Sequence, residues 1–202
     1  MACSTHPWFA ALAVALAACG GAPAPKLDPR DPPPAIAGRW QSACTVASPQ
    51  QVFRLRFELT DRAWQVDYVA YGDAACASEL LTEHVEGGYR LIARSPSVAG
   101  AWTGEFAIAR RTVVPRSDAA AQFLASAQGC GRPGFAAGQV TDILAAGCAG
   151  LGAHPQAQCP AEHDLVVLER DTLRFGARPA DGNLCSEDRR PTAPSPVVLT
   201  RA

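Results

Sequence analysis

The chain has 202 residues with 18 basic and 19 acidic side chains, a formal net charge of −1 and a pI near 6.4. That balance excludes a polybasic nucleic-acid binder and an acidic tail, and the length suits one domain of ordinary size. The 48% hydrophobic content overstates the core because 40 residues are alanine, and eight cysteines in so short a chain point to an oxidising compartment.

Trp8 to Ala18 is an apolar run free of charge and proline. It is too short for a bilayer-spanning helix, which takes about 20 residues, and suits the apolar region of an export signal. The motif Leu16-Ala17-Ala18-Cys19-Gly20 resembles the lipobox of bacterial lipoproteins, whose cysteine thiol accepts diacylglycerol and becomes the mature N-terminus. The resemblance implies a signal peptide over residues 1–18 and a lipid anchor, palmitate included, on Cys19. Glycine rather than aspartate after that cysteine implies the outer membrane of a cell envelope. Residues 19–35 then comprise the lipidated cysteine and a tether with six prolines, ending in Asp31-Pro32-Pro33-Pro34, a composition that favours extended polyproline geometry. The folded domain occupies residues 36–202.

Strand patterns dominate that domain. Ala37 to Thr45 is the first candidate. Phe53, Leu55, Phe57 and Leu59 then alternate with Arg54, Arg56 and Glu58, the period of two that marks a strand with one wet face. After Thr60-Asp61-Arg62, the residues Trp64, Val66, Tyr68 and Ala70 repeat the pattern, so the two segments predict a hairpin. Further candidates are Leu80 to Val85, Tyr89 to Arg94, Ala101 to Arg110, Leu165 to Glu169, Thr172 to Gly176 and Val197 to Thr200. One helix is expected over Ser117 to Gln128, with Ser117 as N-cap, Phe123 and Leu124 as apolar residues and Gly129 as its stop. Gly131 to Pro160, rich in glycine, alanine and proline, carries no clear period. Many short strands and one helix predict a mainly β fold, an antiparallel sheet or open barrel.

The aromatic side chains Trp40, Phe53, Phe57, Trp64, Tyr68, Trp102 and Phe106 fall on these strands. One face of an antiparallel sheet is buried, so they read as core. On a strongly curved sheet the same residues read as the lining of a concave apolar site for a ligand.

Setting aside Cys3 with the signal and Cys19 with the lipid leaves Cys44, Cys76, Cys130, Cys148, Cys159 and Cys185. Six cysteines in an exported domain read as three disulfides with about fifteen possible connectivities. Cys148, His154, Cys159 and His163 form a string that lacks the tight Cys-x2-Cys knuckle of zinc sites, and no metal is assigned to it. There is no Gly-x-Ser-x-Gly elbow and no phosphate-cradling glycine loop opening a helix. Glu162, His163 and Asp164 read as a solvated strand start, and the arginines Arg54, Arg56, Arg110, Arg111 and Arg116 as solvated faces that discourage edge pairing. No catalytic residue, metal or cofactor is therefore expected.

A family resemblance runs through the domain. Gly38-Arg39-Trp40-Gln41-Ser42 with Cys44 is followed by Tyr71-Gly72-Asp73 with Cys76, Gly129-Cys130-Gly131, and Gly147-Cys148-Ala149-Gly150-Leu151-Gly152. The series ends in Phe175-Gly176-Ala177-Arg178-Pro179-Ala180-Asp181-Gly182 and Arg190-Pro191-Thr192. In order and spacing this resembles the domain of the adenomatosis polyposis coli down-regulated protein, a vertebrate antagonist of Wnt signalling, over about residues 38 to 199. The resemblance implies an open, curved antiparallel sheet or half-barrel, like lipocalins and lipoprotein carriers, with an apolar concavity that accepts lipid. It also implies the pairing of Cys44 with Cys76 and Cys130 with Cys148, positions the family uses, leaving Cys159 to pair with Cys185. This chain carries one copy of the domain, so the fold transfers and the Wnt partner does not.

Two functions follow as expectations. The first is a non-catalytic lipoprotein, held to the membrane by its anchor, that binds a lipid or other hydrophobic ligand. The second is an envelope structural or protein-interaction module with no small-molecule ligand.

Overall fold

The computed structural model describes residues 31–48 and 51–202. The expected signal peptide, Cys19 and most of the tether lie outside those residues. The first strand pair is β1 (Gly38–Ser42) and β2 (Thr45–Ser48), which follow one another along β3 (Gln51–Leu59). Between them the ladder is interrupted, and the Ser42 hydroxyl accepts the Leu55 N–H at 3.0 Å. β3 and β4 (Ala63–Tyr71) form the expected hairpin, with Leu59 opposite Trp64 and Phe57 opposite Val66.

The next strand, β5 (Glu79–Arg94), is a single element of 16 residues where the sequence suggested two strands separated at Gly87-Gly88. Those glycines serve close approach, not a break. A Cβ on Gly87 would lie 1.9 Å from the Ala107 carbonyl oxygen, because β6 (Trp102–Ala107) and β7 (Arg110–Pro115) run consecutively along β5, with Ile108 and Ala109 between them. The helix α1 (Asp118–Ala125) follows, with the Ser117 side chain accepting the Ala120 N–H at 3.2 Å. It is shorter than expected. Leu124 packs in a cluster with Leu81, Val113 and Ile143, whereas Phe123 is exposed. β8 (Thr141–Asp142) pairs with β7, and β9 (Ala161–Glu169), β10 (Thr172–Phe175) and β11 (Leu199–Arg201) complete the chain.

Pairing continues from β6 to β9, β9 to β10, β10 to β11, and β11 back to β1. The curved antiparallel sheet thus wraps fully round into an eight-stranded barrel of β1, β3, β4, β5, β6, β9, β10 and β11, with β2, β7 and β8 as extensions. Closure satisfies the backbone of strands that would otherwise present free edges.

The two barrel ends differ. The registers Gly38 with Leu59 and Trp40 with Arg201 place the start of β1, the β3–β4 turn and the end of β11 together. This end is plugged: Ile36, Trp40 and Leu59 are buried, the Trp40 indole N–H donates to the Ile36 carbonyl at 2.9 Å, and the Tyr89 hydroxyl donates to Thr60 at 2.8 Å. Arg94 also holds Asp31, with Nε 2.7 Å from Oδ2. At the opposite end lie the start of β11, the loop after β10 and the start of β9. Three disulfides join Cys44 to Cys76, Cys130 to Cys148 and Cys159 to Cys185, the pairing that the family resemblance implies. Cys148 and Cys159 of the histidine-cysteine string are therefore both in sulfur–sulfur bonds.

Candidate ligand cavity

The barrel encloses a cavity of about 800 Å³. Alternation along the strands determines its lining: Phe53, Leu55 and Phe57 of β3, Trp64, Val66 and Tyr68 of β4, Val85 of β5, Phe106 of β6 and Phe175 of β10 all face it. The rings support one another. Phe57 stacks on Phe175 with centroids 4.7 Å apart, Phe106 meets both Trp64 and Phe175 edge-on at 5.5 Å, and Phe53 stacks on Tyr68 at 5.2 Å. Trp64 is fixed by its indole N–H, which donates to the Ala107 carbonyl at 2.9 Å. The loops 149–152, 176–182 and 195–197 border the cavity at the end away from the plug.

Five of the seven aromatic residues expected at the site, Phe53, Phe57, Trp64, Tyr68 and Phe106, are thus brought together around one space. Trp40 and Trp102 are not among its lining residues. Trp40 is consumed by the plug, under the Arg201 guanidinium at 4.4 Å. Trp102 is buried at the barrel wall with Arg94 4.8 Å from its ring centre.

One wall of the cavity is charged. Glu83, Arg111, Glu162 and Asp164 line it at 7%, 6%, 7% and 5% exposure, joined by the half-exposed Arg178. Arg111 lies between two carboxylates, its Nε 3.3 Å from Glu83 and its Nη2 3.4 Å from Glu162. Arg178 donates to the second oxygen of Glu162 and also to the Gly182 carbonyl at 3.2 Å. Asp164 accepts two backbone N–H groups through one oxygen, from Leu165 at 2.7 Å and from Gly176 at 2.9 Å.

These surroundings separate the three acids. Burial pushes the Glu83 carboxyl above its ordinary range, against the pull of Arg111 and Arg178. Burial acts on Glu162 too, but Arg178 and Arg111 outweigh it and hold that carboxyl low. Asp164 is pushed up to about 6, first by burial and then by Glu162, while Arg178 and the two N–H groups oppose the rise.

The sequence reads Glu162 and Asp164 as a solvated strand start and Arg111 as a solvated face, and the structure corrects both. β9 begins at Ala161, not Leu165, so Glu162 and Asp164 stand opposite Phe106 and Gly104 on the inner face while His163 points away. The signal was available in the alternation of Glu162, Asp164, Val166 and Leu168, masked because the first two are acidic.

A family model described as adenomatosis polyposis coli down-regulated 1 matches residues 26–144, more than half of the chain. No curated protein matches it. The matched stretch contains β1 to β8 and both Glu83 and Arg111, and it stops before the three strands that close the barrel and bring in Glu162, Asp164 and Arg178. With more than half its length accounted for by that model, this chain belongs to the adenomatosis polyposis coli down-regulated 1 family.

Proposed function

We propose that the barrel is a non-catalytic binding module that holds a lipid or other hydrophobic molecule in its interior, on a domain tethered to the outer membrane of a cell envelope through lipid on Cys19. The observation that carries this reading is the aromatic cavity itself. Its volume of about 800 Å³ falls within the range of about 300–1,000 Å³ usual for small-molecule sites, which are mostly apolar with a few placed polar groups. The tether enters at the plugged end, so in this reading the cavity rim faces away from the anchoring membrane, as suits a module that meets its ligand or a partner across the envelope.

Native mass spectrometry of the domain, isolated without delipidation, tests the first part. The expected result is a bound mass of lipid size, or uptake of a fatty-acid probe. A domain that is empty and also refuses the probe favours the alternative, an envelope interaction module with a packed interior. Labelled palmitate incorporation into the full chain, lost in Cys19→Ala, tests the anchor.

A further inference from the structure

The charged wall is short of hydrogen-bond donors. Among the described residues, Asp164 takes both of its hydrogen bonds through Oδ1 and has no arginine at ion-pair distance, although it is buried and lines the cavity. Glu83 stands opposite Tyr68, and its ion-pair partner is Arg111, whose Nε, at 3.3 Å, is not aligned to donate. Both guanidiniums are held in ion pairs, although Arg111 Nε itself makes no hydrogen bond. Arg111 faces Glu83 and Glu162, and Arg178 is shared between Glu162 and the Gly182 carbonyl. Three carboxylates therefore face two arginines, and the surplus acceptors sit next to an apolar space.

Carboxylates that line an apolar cavity in excess of the cations beside them call for a partner. Resting on the reading of the barrel as a holder of hydrophobic molecules, we infer that this wall receives the polar end of an amphiphile whose head group donates hydrogen bonds and carries positive charge, a primary amine being the simplest class. The aromatic lining takes the hydrocarbon chain, and the ammonium meets the carboxylates of this wall, Asp164 first because no arginine stands at ion-pair distance from it. A carboxylate head meets the opposite situation: it brings a fourth carboxyl group to the wall and finds both arginines already paired with Glu162.

Calorimetric titration of the domain with dodecylamine, dodecanol and laurate, each below its aggregation concentration, tests this. Dodecylamine is expected to bind at least about tenfold more tightly than laurate, as befits a charge pair formed away from water. In Asp164→Asn, which keeps the acceptor oxygen for Leu165 and Gly176, the ratio of the two affinities falls towards unity. Glu83→Gln gives the same direction and serves if the first variant folds poorly. Laurate binding as tightly as dodecylamine overturns the head-group assignment and leaves the hydrophobic-ligand reading standing. Failure of all three probes to bind overturns both.

Discussion

Asp164 Oδ1 accepts the Gly176 N–H at 2.9 Å, which ties the start of β9 to the loop after β10 from inside the barrel. The carboxyl that makes this tie is nevertheless held above its ordinary value of 3.8, at about 6, chiefly by burial. An acid with a raised folded-state pKa binds more protons folded than unfolded between those two values. Its contribution to stability therefore falls as pH rises from about 4 to about 6. Asp164→Asn removes that titration. Above pH 6 the variant is expected to be more stable than the wild type, by on the order of 2–3 kcal/mol, with the difference shrinking as pH falls towards 4. Urea unfolding of both proteins across that range checks it, and a difference independent of pH rules the assignment out.

Gly176 itself admits no side chain. A Cβ there would stand 2.5 Å from Asp164 Oδ1 and 2.5 Å from the Pro191 ring. Gly176→Ala is expected to destabilise the domain by about 1–3 kcal/mol through overpacking, read as a lower melting temperature. An unchanged melting temperature shows that the loop can move aside.

On the outer surface, His84 stands between two carboxylates, its Nδ1 2.7 Å from Asp67 and its Nε2 3.2 Å from Glu86. Partial burial lowers its pKa, but the hydrogen bonds to Asp67 and Glu86 prevail and raise it above 6.5. A histidine whose folded-state pKa is raised adds stability that is fully present below the unfolded value and is lost as pH rises through the folded one. The His84 ring protons should titrate in NMR with a midpoint above 6.5. Correspondingly, His84→Gln should cost more stability at about pH 5.5 than at about pH 8.5.

Among the tryptophans of the described residues, only Trp64 lines the cavity. Ligand binding is expected to alter tryptophan emission in the wild type and in Trp102→Phe, and to leave it nearly unchanged in Trp64→Phe. A ligand signal that survives in Trp64→Phe places the bound molecule elsewhere.

The Cys159–Cys185 bond closes a loop with a sequence separation of 26, and replacing both cysteines by serine is expected to cost about 3–4 kcal/mol. Thermal unfolding of the double variant measures this. Peptide mapping under non-reducing conditions checks the three pairings independently.

The strands were legible in the sequence wherever apolar and charged residues alternate, and β3 and β4 emerge from that period almost to the residue. The cavity lining was legible for the same reason, since Phe53, Phe57, Trp64, Tyr68 and Phe106 share the inward phase of their strands. What stayed hidden was any feature in which chemical type contradicts position. Glu162 and Asp164 lie on the inner face, yet a carboxylate on a strand looks like solvent contact until its neighbours are known. Gly87 looks like punctuation until Ala107 is seen against it. Trp40 and Trp102 resemble the other aromatics in sequence, and only the plug and the cations stacked near them set them apart.

The joining of β1 to β11 also has a consequence for how the chain reaches its structure. Residues 38–42 find their second neighbour only at residues 199–201, so the ring has an open seam until nearly the whole polypeptide is available. Contacts so distant in sequence slow folding and leave strand edges exposed in the meantime. A fragment ending at residue 144, though it spans the family match, would lack three of the eight barrel strands and present β1 and β6 as sticky borders. The smallest unit of this protein that closes the sheet without a free barrel edge is therefore the intact barrel, through Arg201.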